Sequence, residues 1–161
     1  MSIRFLITGG TIDKVYQELD GSLGFDQTHL VDMLNRCRCM ADTLSEVVCL
    51  KDSLEMNDTD RELILNRCQS CDESQIVISH GTDTMVETAN YLAKHITDKT
   101  IVLFGAMIPY AINHSDALFN LGVALGAVQA QAPGIYVAMN GRIFTYDQVR
   151  KNKALGIFEN T

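Results

Sequence analysis

The stretch "RFLITGGTIDKVY" (residues 4–16) decides how this chain folds. A β-branched and aromatic run from Ile3 to Thr8 meets Gly9 and Gly10, and then Thr11. Continuous apolar runs that stop at glycine are how strands buried on both faces read in a sequence. The residues after the run match neither G-x-G-x-x-G nor the lysine-bearing phosphate loop, and no helical pattern begins directly after them. A phosphate would need the amides of a helix start at that place. Thr11 is instead presented on a tight glycine turn that keeps bulk away from its hydroxyl. Two readings stay open from these residues: a threonine that caps the turn, which the stretch alone favours, or a nucleophile.

Outward from that stretch the pattern alternates. Strand-like "EVVCL", "SQIVISH", "KTIVLFG" and "GIYVAMN" are separated by helical "THLVDMLNRC", "NDTDRELILNRC", "TMVETANYLAKHI" and "SDALFNLGVALGAVQAQ". Asn57 or Asp58 is placed to cap the second helix, with acidic residues in its first turn. The last helix stops at Pro133 and Gly134. This order predicts an α/β fold: a doubly wound, flavodoxin- or Rossmann-like parallel sheet of about five strands, with helices on both faces. The longest non-periodic stretch, the 19 residues "GGTIDKVYQELDGSLGFDQ", reads as a flexible active-site loop over about 9–27, with Gly21 and Gly24 free to hinge. There is no internal repeat, low-complexity segment or linker, so residues 1–161 read as a single domain.

Composition bounds the function. Apolar residues are 47% and charged residues 20% of the 161, the balance of a soluble globular protein. A net charge of -7 repels nucleic acid and anionic membrane alike. No run approaches the roughly 18 apolar residues of a membrane span, and no secretory leader is recognisable. Five cysteines, an odd number, sit at Cys37, Cys39, Cys49, Cys68 and Cys71. The CxC and CxxC pairs fall in segments that read as helix, and the histidines (His29, His80, His95, His114) are scattered. That favours reduced, structural thiols in a cytoplasmic protein over a zinc site, with no metal expected.

In an open parallel sheet, ligands bind at the carboxyl ends of the strands, where the strand order reverses. Those ends deliver Thr8–Thr11, then Asp52 and Ser53, then His80, Gly81, Thr82, Asp83 and Thr84, then Gly105, Ala106 and Met107. In "SHGTDTMVETA", Thr82 reads as an N-cap and Asp83 as a carboxylate favoured by the helix dipole. The same hydroxyl and carboxylate, with a lysine reaching in, form a proton relay in which the lysine keeps Asp83 ionised or itself acts as base.

Taken together, "TGGTI" and, roughly 70 residues on, "HGTDTM" resemble the two threonine signatures of the bacterial-type L-asparaginases, the asparaginase/glutaminase family. "KDSLEMND" resembles that family's substrate-binding segment, "FGAMIP" its "GAMRP" strand end and "HSDALFNL" its "SADGPFNL" helix start. "MNGRIFTYDQVRKN" resembles the segment carrying its catalytic lysine, here Lys151. The likeness runs from residue 3 to about residue 155. It implies hydrolysis of L-asparagine to L-aspartate and ammonia through an acyl-enzyme, with no cofactor. It implies Thr11 as nucleophile and Thr82, Asp83 and Lys151 as a second, relay-like triad. Gly10, Ser53, Leu54, Gly81, Thr82, Asp83 and Ala106 are implied around the substrate, and Tyr16 as the activating phenol on the loop.

The chain also departs from the pattern. "RKN" replaces "TKT", Ile108 replaces an arginine, and the chain is expected to lack a counterpart of the long members' second domain and of the acidic residue that a neighbouring subunit donates. The start at Met1 reads as a short, single-domain form rather than an excised piece, with Asp83 binding the substrate amine unaided and weakly. A homodimer or higher homo-oligomer is expected, "LGVALGAV" packing on a partner or equally on its own sheet. The alternatives are a glutaminase or the amidase part of a larger assembly, a silent amino-acid sensor, and a nucleotide-binding domain that lacks its loop chemistry.

Overall fold

The apolar runs come together as one sheet in the computed structural model, which describes residues 2–161; Met1, where the expected domain begins, lies outside the described residues. In chain order the elements are β1 (Ile3–Gly9), β2 (Lys14–Tyr16), β3 (Leu23–Phe25), α1 (Leu30–Arg36), β4 (Thr43–Lys51), α2 (Asp58–Ser70) and β5 (Gln75–Ser79). After these come α3 (Met85–Ala93), β6 (Thr100–Phe104), α4 (Ala117–Ala130), β7 (Gly134–Met139), β8 (Arg142–Thr145), β9 (Arg150–Asn152) and β10 (Ile157–Glu159). Six strands form the main sheet in the order β4-β1-β5-β6-β7-β8. The first five are parallel, as expected, and β8 pairs antiparallel with β7. The chain steps from β1 to one side, then returns past it to β5, so the order reverses between β1 and β5.

Both faces of the inner strands β1, β5, β6 and β7 are buried, which is why they read as unbroken apolar runs. Leu6, Ile76, Ile78, Ile101 and Leu103 meet α2 and α3 through Ile64, Met85 and Leu92. Their neighbours Phe5, Ile7, Val77, Val102 and Phe104 meet α1 and α4 through Met33, Leu121 and Val128. Phe5 and Phe104 are fully buried, and truncating either to alanine costs about 3–5 kcal/mol. Helix α2 begins where expected: Asn57 accepts from the Thr59 and Asp60 amides while Asp60 accepts from the Asn57 amide, a reciprocal cap worth about 1 kcal/mol.

Three local expectations are corrected. The stretch read as a loop holds a short helical turn, Thr11–Asp13, and the β2–β3 hairpin, in which Lys14 faces Phe25 and Tyr16 faces Leu23. Strands of three residues are too short to leave a period. The sixth strand, β8, adds to the five expected; Asn140 and Gly141, at φ +55° and +75°, form the two-residue turn that creates it. The CxC pair is not helical either. Cys37 caps α1, and Arg38, at φ +54°, turns the chain away before Cys39.

Candidate active site

The crevice at the reversal point is built by two glycines pressed together. Gly10 adopts φ +81° and ψ -179°, a conformation open essentially to glycine alone. A Cβ at Gly10 would lie 2.3 Å from the Gly81 nitrogen. A Cβ at Gly81 would in turn lie 2.5 Å from the Ser53 Oγ. The ends of β1, β4 and β5 therefore touch through missing side chains, and Gly10, Gly81 and Ser53 form one wall.

Thr11 opens the helical turn, whose position is fixed from below. The Tyr110 amide donates to the Ile12 carbonyl at 3.1 Å. The buried Asp13 carboxylate accepts from the His29 amide at 2.8 Å and from the Thr28 hydroxyl at 3.2 Å. Burial raises the Asp13 pKa, and its hydrogen bonds oppose that rise. No cap hydrogen bond is made by a side chain at this turn, and among the described residues the Thr11 hydroxyl has no partner. The structural errand that the sequence favoured for it, capping, is absent.

Thr82 follows Gly81, the residue whose main chain Gly10 touches. Helix α3 begins two residues later than a cap at Thr82 implies, at Met85, and its cap residue Thr84 sends its hydroxyl to the Ser53 carbonyl at 2.9 Å. Neither Thr82 nor Asp83 is spent on capping. Lys151 Nζ reaches both, donating to the Thr82 Oγ1 and to Asp83 Oδ1, each at 2.7 Å. The side chains of Lys151 and Asp83 are 11% and 34% exposed. A partly exposed pair contributes only about 0–1 kcal/mol to stability, so stability does not explain a lysine drawn in this far.

Behind Thr82 lies His80, fully buried, with Nδ1 2.8 Å from the Gly81 carbonyl and Nε2 2.8 Å from the Thr88 hydroxyl. Burial pushes its pKa down to about 4, so the ring is neutral. A neutral ring donates from one nitrogen only; the carbonyl can only accept, so Nδ1 carries the proton and Nε2 accepts from Thr88. Ala106, buried, follows β6 beside this segment, and the His80 amide donates to the Phe104 carbonyl at 2.8 Å.

Two charged residues that the sequence did not single out for a role border the crevice. Lys14, on β2, forms an ion pair with Asp52, whose other oxygen accepts from the Leu54 amide at 3.0 Å. Lys14 holds the Asp52 carboxyl below its ordinary range, helped by that amide and by the charge of Lys151. Only the Asx-type cap of Asp52 has a local signal. Leu54 is 69% exposed at the rim. Tyr16 is not brought to the cluster: it is 65% exposed, and its hydroxyl lies 3.9 Å from where a Gly21 Cβ would stand, at the hairpin tip. A cleft of about 470 Å³, lined by Arg36, Tyr110, Asn113 and His114 among others, shares no lining residue with the cluster. Among the described residues no group of three or more His, Cys, Asp or Glu side chains could hold a metal ion, and no helix is long and apolar enough to cross a membrane.

Fold and crevice define a doubly wound α/β protein with a hydroxyl–carboxylate–lysine cluster at its switch point. The family model for the asparaginase N-terminal domain matches residues 2–158, and the chain belongs to the asparaginase family. It is 32% identical to L-asparaginase 2 of Escherichia coli (strain K12), over 97% of this chain and 48% of that protein. It is likewise 32% identical to a glutaminase-asparaginase of Acinetobacter glutaminasificans, over 93% of this chain and 49% of that one. The thermostable L-asparaginase from Thermococcus kodakarensis superposes with a TM-score of 0.88 at 30% identity, covering 99% of this chain and 51% of the other. The chain thus spans about half the length of the relatives it matches.

Proposed function

We propose that the chain hydrolyses the side-chain amide of L-asparagine to L-aspartate and ammonia, with Thr11 as nucleophile. The observation that carries this reading is Lys151, whose Nζ meets Thr82 and Asp83 at 2.7 Å each beside the Gly10–Gly81 wall. An Nζ–H donating to the Thr82 oxygen leaves that hydroxyl's own proton directed elsewhere, toward a water or the leaving nitrogen. Thr11 Oγ attacks the amide carbon, its proton passes to the departing nitrogen, ammonia leaves, and water cleaves the ester to release aspartate. Backbone N–H groups at Thr82 and Ala106 hold the oxyanion. Ser53 and Asp83, with Gly10, Leu54 and Gly81 around them, receive the amino-acid end, and the Lys14–Asp52 pair keeps the rim close to neutral for a zwitterion. Tyr16 serves as the phenol over the site only if the hairpin tip moves.

A relative named glutaminase-asparaginase favours a second reading, activity on L-glutamine. One methylene is worth about 1–3 kcal/mol in such a pocket, which leaves room for side activity on the longer amide. We also read the chain as a homo-oligomer, supported by the exposed α4 residues Phe119 and Gly122. Five free thiols support a reducing, cytoplasmic setting. The test is ammonia release from both amides by wild type, Thr11→Ala and Lys151→Met. Loss of at least about 10³-fold in each variant supports the reading; an active Thr11→Ala, or an inert but folded wild type, overturns it.

A further inference from the structure

We propose that Asn140 is the positioning residue that holds Lys151 in the crevice, acting through the main chain of Phe158. Lys151 sits on β9, which belongs to a separate two-stranded sheet with β10 and has no hydrogen-bonded place in the six-stranded one. A two-stranded hairpin is marginal by itself and must be fastened to hold a side chain in place. In the register of that hairpin, Lys151 stands opposite Phe158. The Phe158 amide donates to Asn140 Oδ1 at 2.8 Å, and the Phe158 ring is buried in the main core. Burial of the ring sets the hairpin's depth; the amide hydrogen bond fixes its main chain directly behind Lys151.

Asn140 is itself fastened. Its amide donates to Asn120 Oδ1 at 3.1 Å, and the fully buried Asn120 spends its Nδ2 on the Gly105 carbonyl at 3.0 Å and on Asp116 Oδ2 at 2.9 Å. Asp116 in turn accepts from the Met107 and Ile108 amides, each at 3.0 Å. One run of hydrogen bonds therefore joins the strand end at Gly105, Ala106 and Met107 to the hairpin that carries Lys151. Among the described residues the other polar tie from the β7–β8 hairpin to this tail, Arg142 to Asn160 Oδ1 at 3.3 Å, is longer and exposed. Asn140 suits the post because its left-handed backbone, at φ +55°, is one that asparagine tolerates while its side chain stays free to accept.

The inference rests on the reading of Lys151 as part of the reacting cluster, and its test has one arm independent of turnover. Asn140→Gly keeps the left-handed backbone and removes the acceptor; Asn140→Asp keeps both. We expect Asn140→Gly to lower kcat at least about tenfold with KM within about threefold, the signature of a group displaced in the reaction step. Lys151 in that variant should react at least about fivefold faster with an amine-acylating reagent, scored at that residue by mass spectrometry. Asn140→Asp should restore both measures to within about threefold of wild type. Wild-type kcat and Lys151 labelling in Asn140→Gly, or an Asn140→Asp as impaired as the glycine variant, overturns the proposal. Should Lys151→Met leave turnover unchanged, the catalytic reading of the lysine fails, and the labelling result still decides whether Asn140 positions it.

Discussion

An alanine at position 10 has no room. Its Cβ would stand 2.3 Å from the Gly81 nitrogen, 2.4 Å from the Gly81 Cα and 2.8 Å from the His80 carbonyl carbon, all main-chain atoms that cannot swing aside. Ordinary carbon contacts lie near 3.5–4.0 Å, so the ends of β1 and β5 must part by roughly 1 Å. Overpacking of that kind costs about 1–3 kcal/mol. Forcing a side chain into the glycine-only conformation of Gly10 adds about 1–3 kcal/mol more. Gly10→Ala should therefore lose about 2–6 kcal/mol, which for a chain of this size lowers the melting temperature by about 5–20 °C. A displacement of that size beside Thr11 should also cost on the order of 10²-fold in turnover. Gly126→Ala is the control: a Cβ there meets nothing within 4 Å, on an exposed helical position, and should add about 0.5–1 kcal/mol. Melting curves and ammonia release on both variants check this. A Gly10→Ala protein that melts within about 1 °C of wild type and turns over normally would refute the interlock.

His80 predicts a pH dependence. Its folded pKa of about 4 lies below the ordinary 6.5, so the unfolded chain takes up the proton first as pH falls. Its contribution is complete above pH 6.5 and is lost as pH falls toward 4, a difference of about 3 kcal/mol. Urea unfolding at pH 7 and at roughly pH 4.5 should show His80→Gln losing less over that range than wild type by about 2–3 kcal/mol; equal losses would count against a buried neutral ring. Lys14→Met should weaken substrate binding by about three- to tenfold in KM, through release of the hairpin from Asp52, with stability changed by less than about 1 kcal/mol. An unchanged KM would show that the ion pair does not hold the rim. Cys37 is exposed, whereas burial pushes the Cys68 thiol up to about 12, so Ellman titration should find Cys37 promptly and Cys68 only in denaturant. Rapid native labelling of Cys68 would contradict its packing.

The strands were legible where both faces are buried, because Leu6 and Phe5, or Ile78 and Val77, go to opposite helical layers and leave no polar gap in the run. The cap at Asn57 was legible because its partners are two and three residues away. Contacts far apart in the chain were not. Lys14 and Asp52 are 38 residues apart, and nothing in either neighbourhood announces the other. The approach of Lys151 to Thr82, 69 residues away, was suggested by family resemblance and not by spacing. Asn140–Gly141 is a turn signal in plain sight, easily passed over because β8 has only four residues to answer it. The late start of α3 reflects competition: Thr84 is drawn to the Ser53 carbonyl and Thr82 and Asp83 to Lys151, so none of the three side chains caps the helix.

Strand β4 ends the sheet, with β1 as its one hydrogen-bonded neighbour. Its outer row of amides and carbonyls is a template for a strand from another molecule, and Leu44 and Val47 stand exposed along it. Two charged side chains guard that border: Glu46, held by Arg67, and Lys51, held by Asp60. The net charge of -7 that every copy shares keeps two such borders apart only over the reach of unscreened electrostatics, about 10 Å at 0.1 M salt and about 3 Å at 1 M. Concentrated protein in strong salt is where this border becomes adhesive, which ties the outermost strand to shelf life.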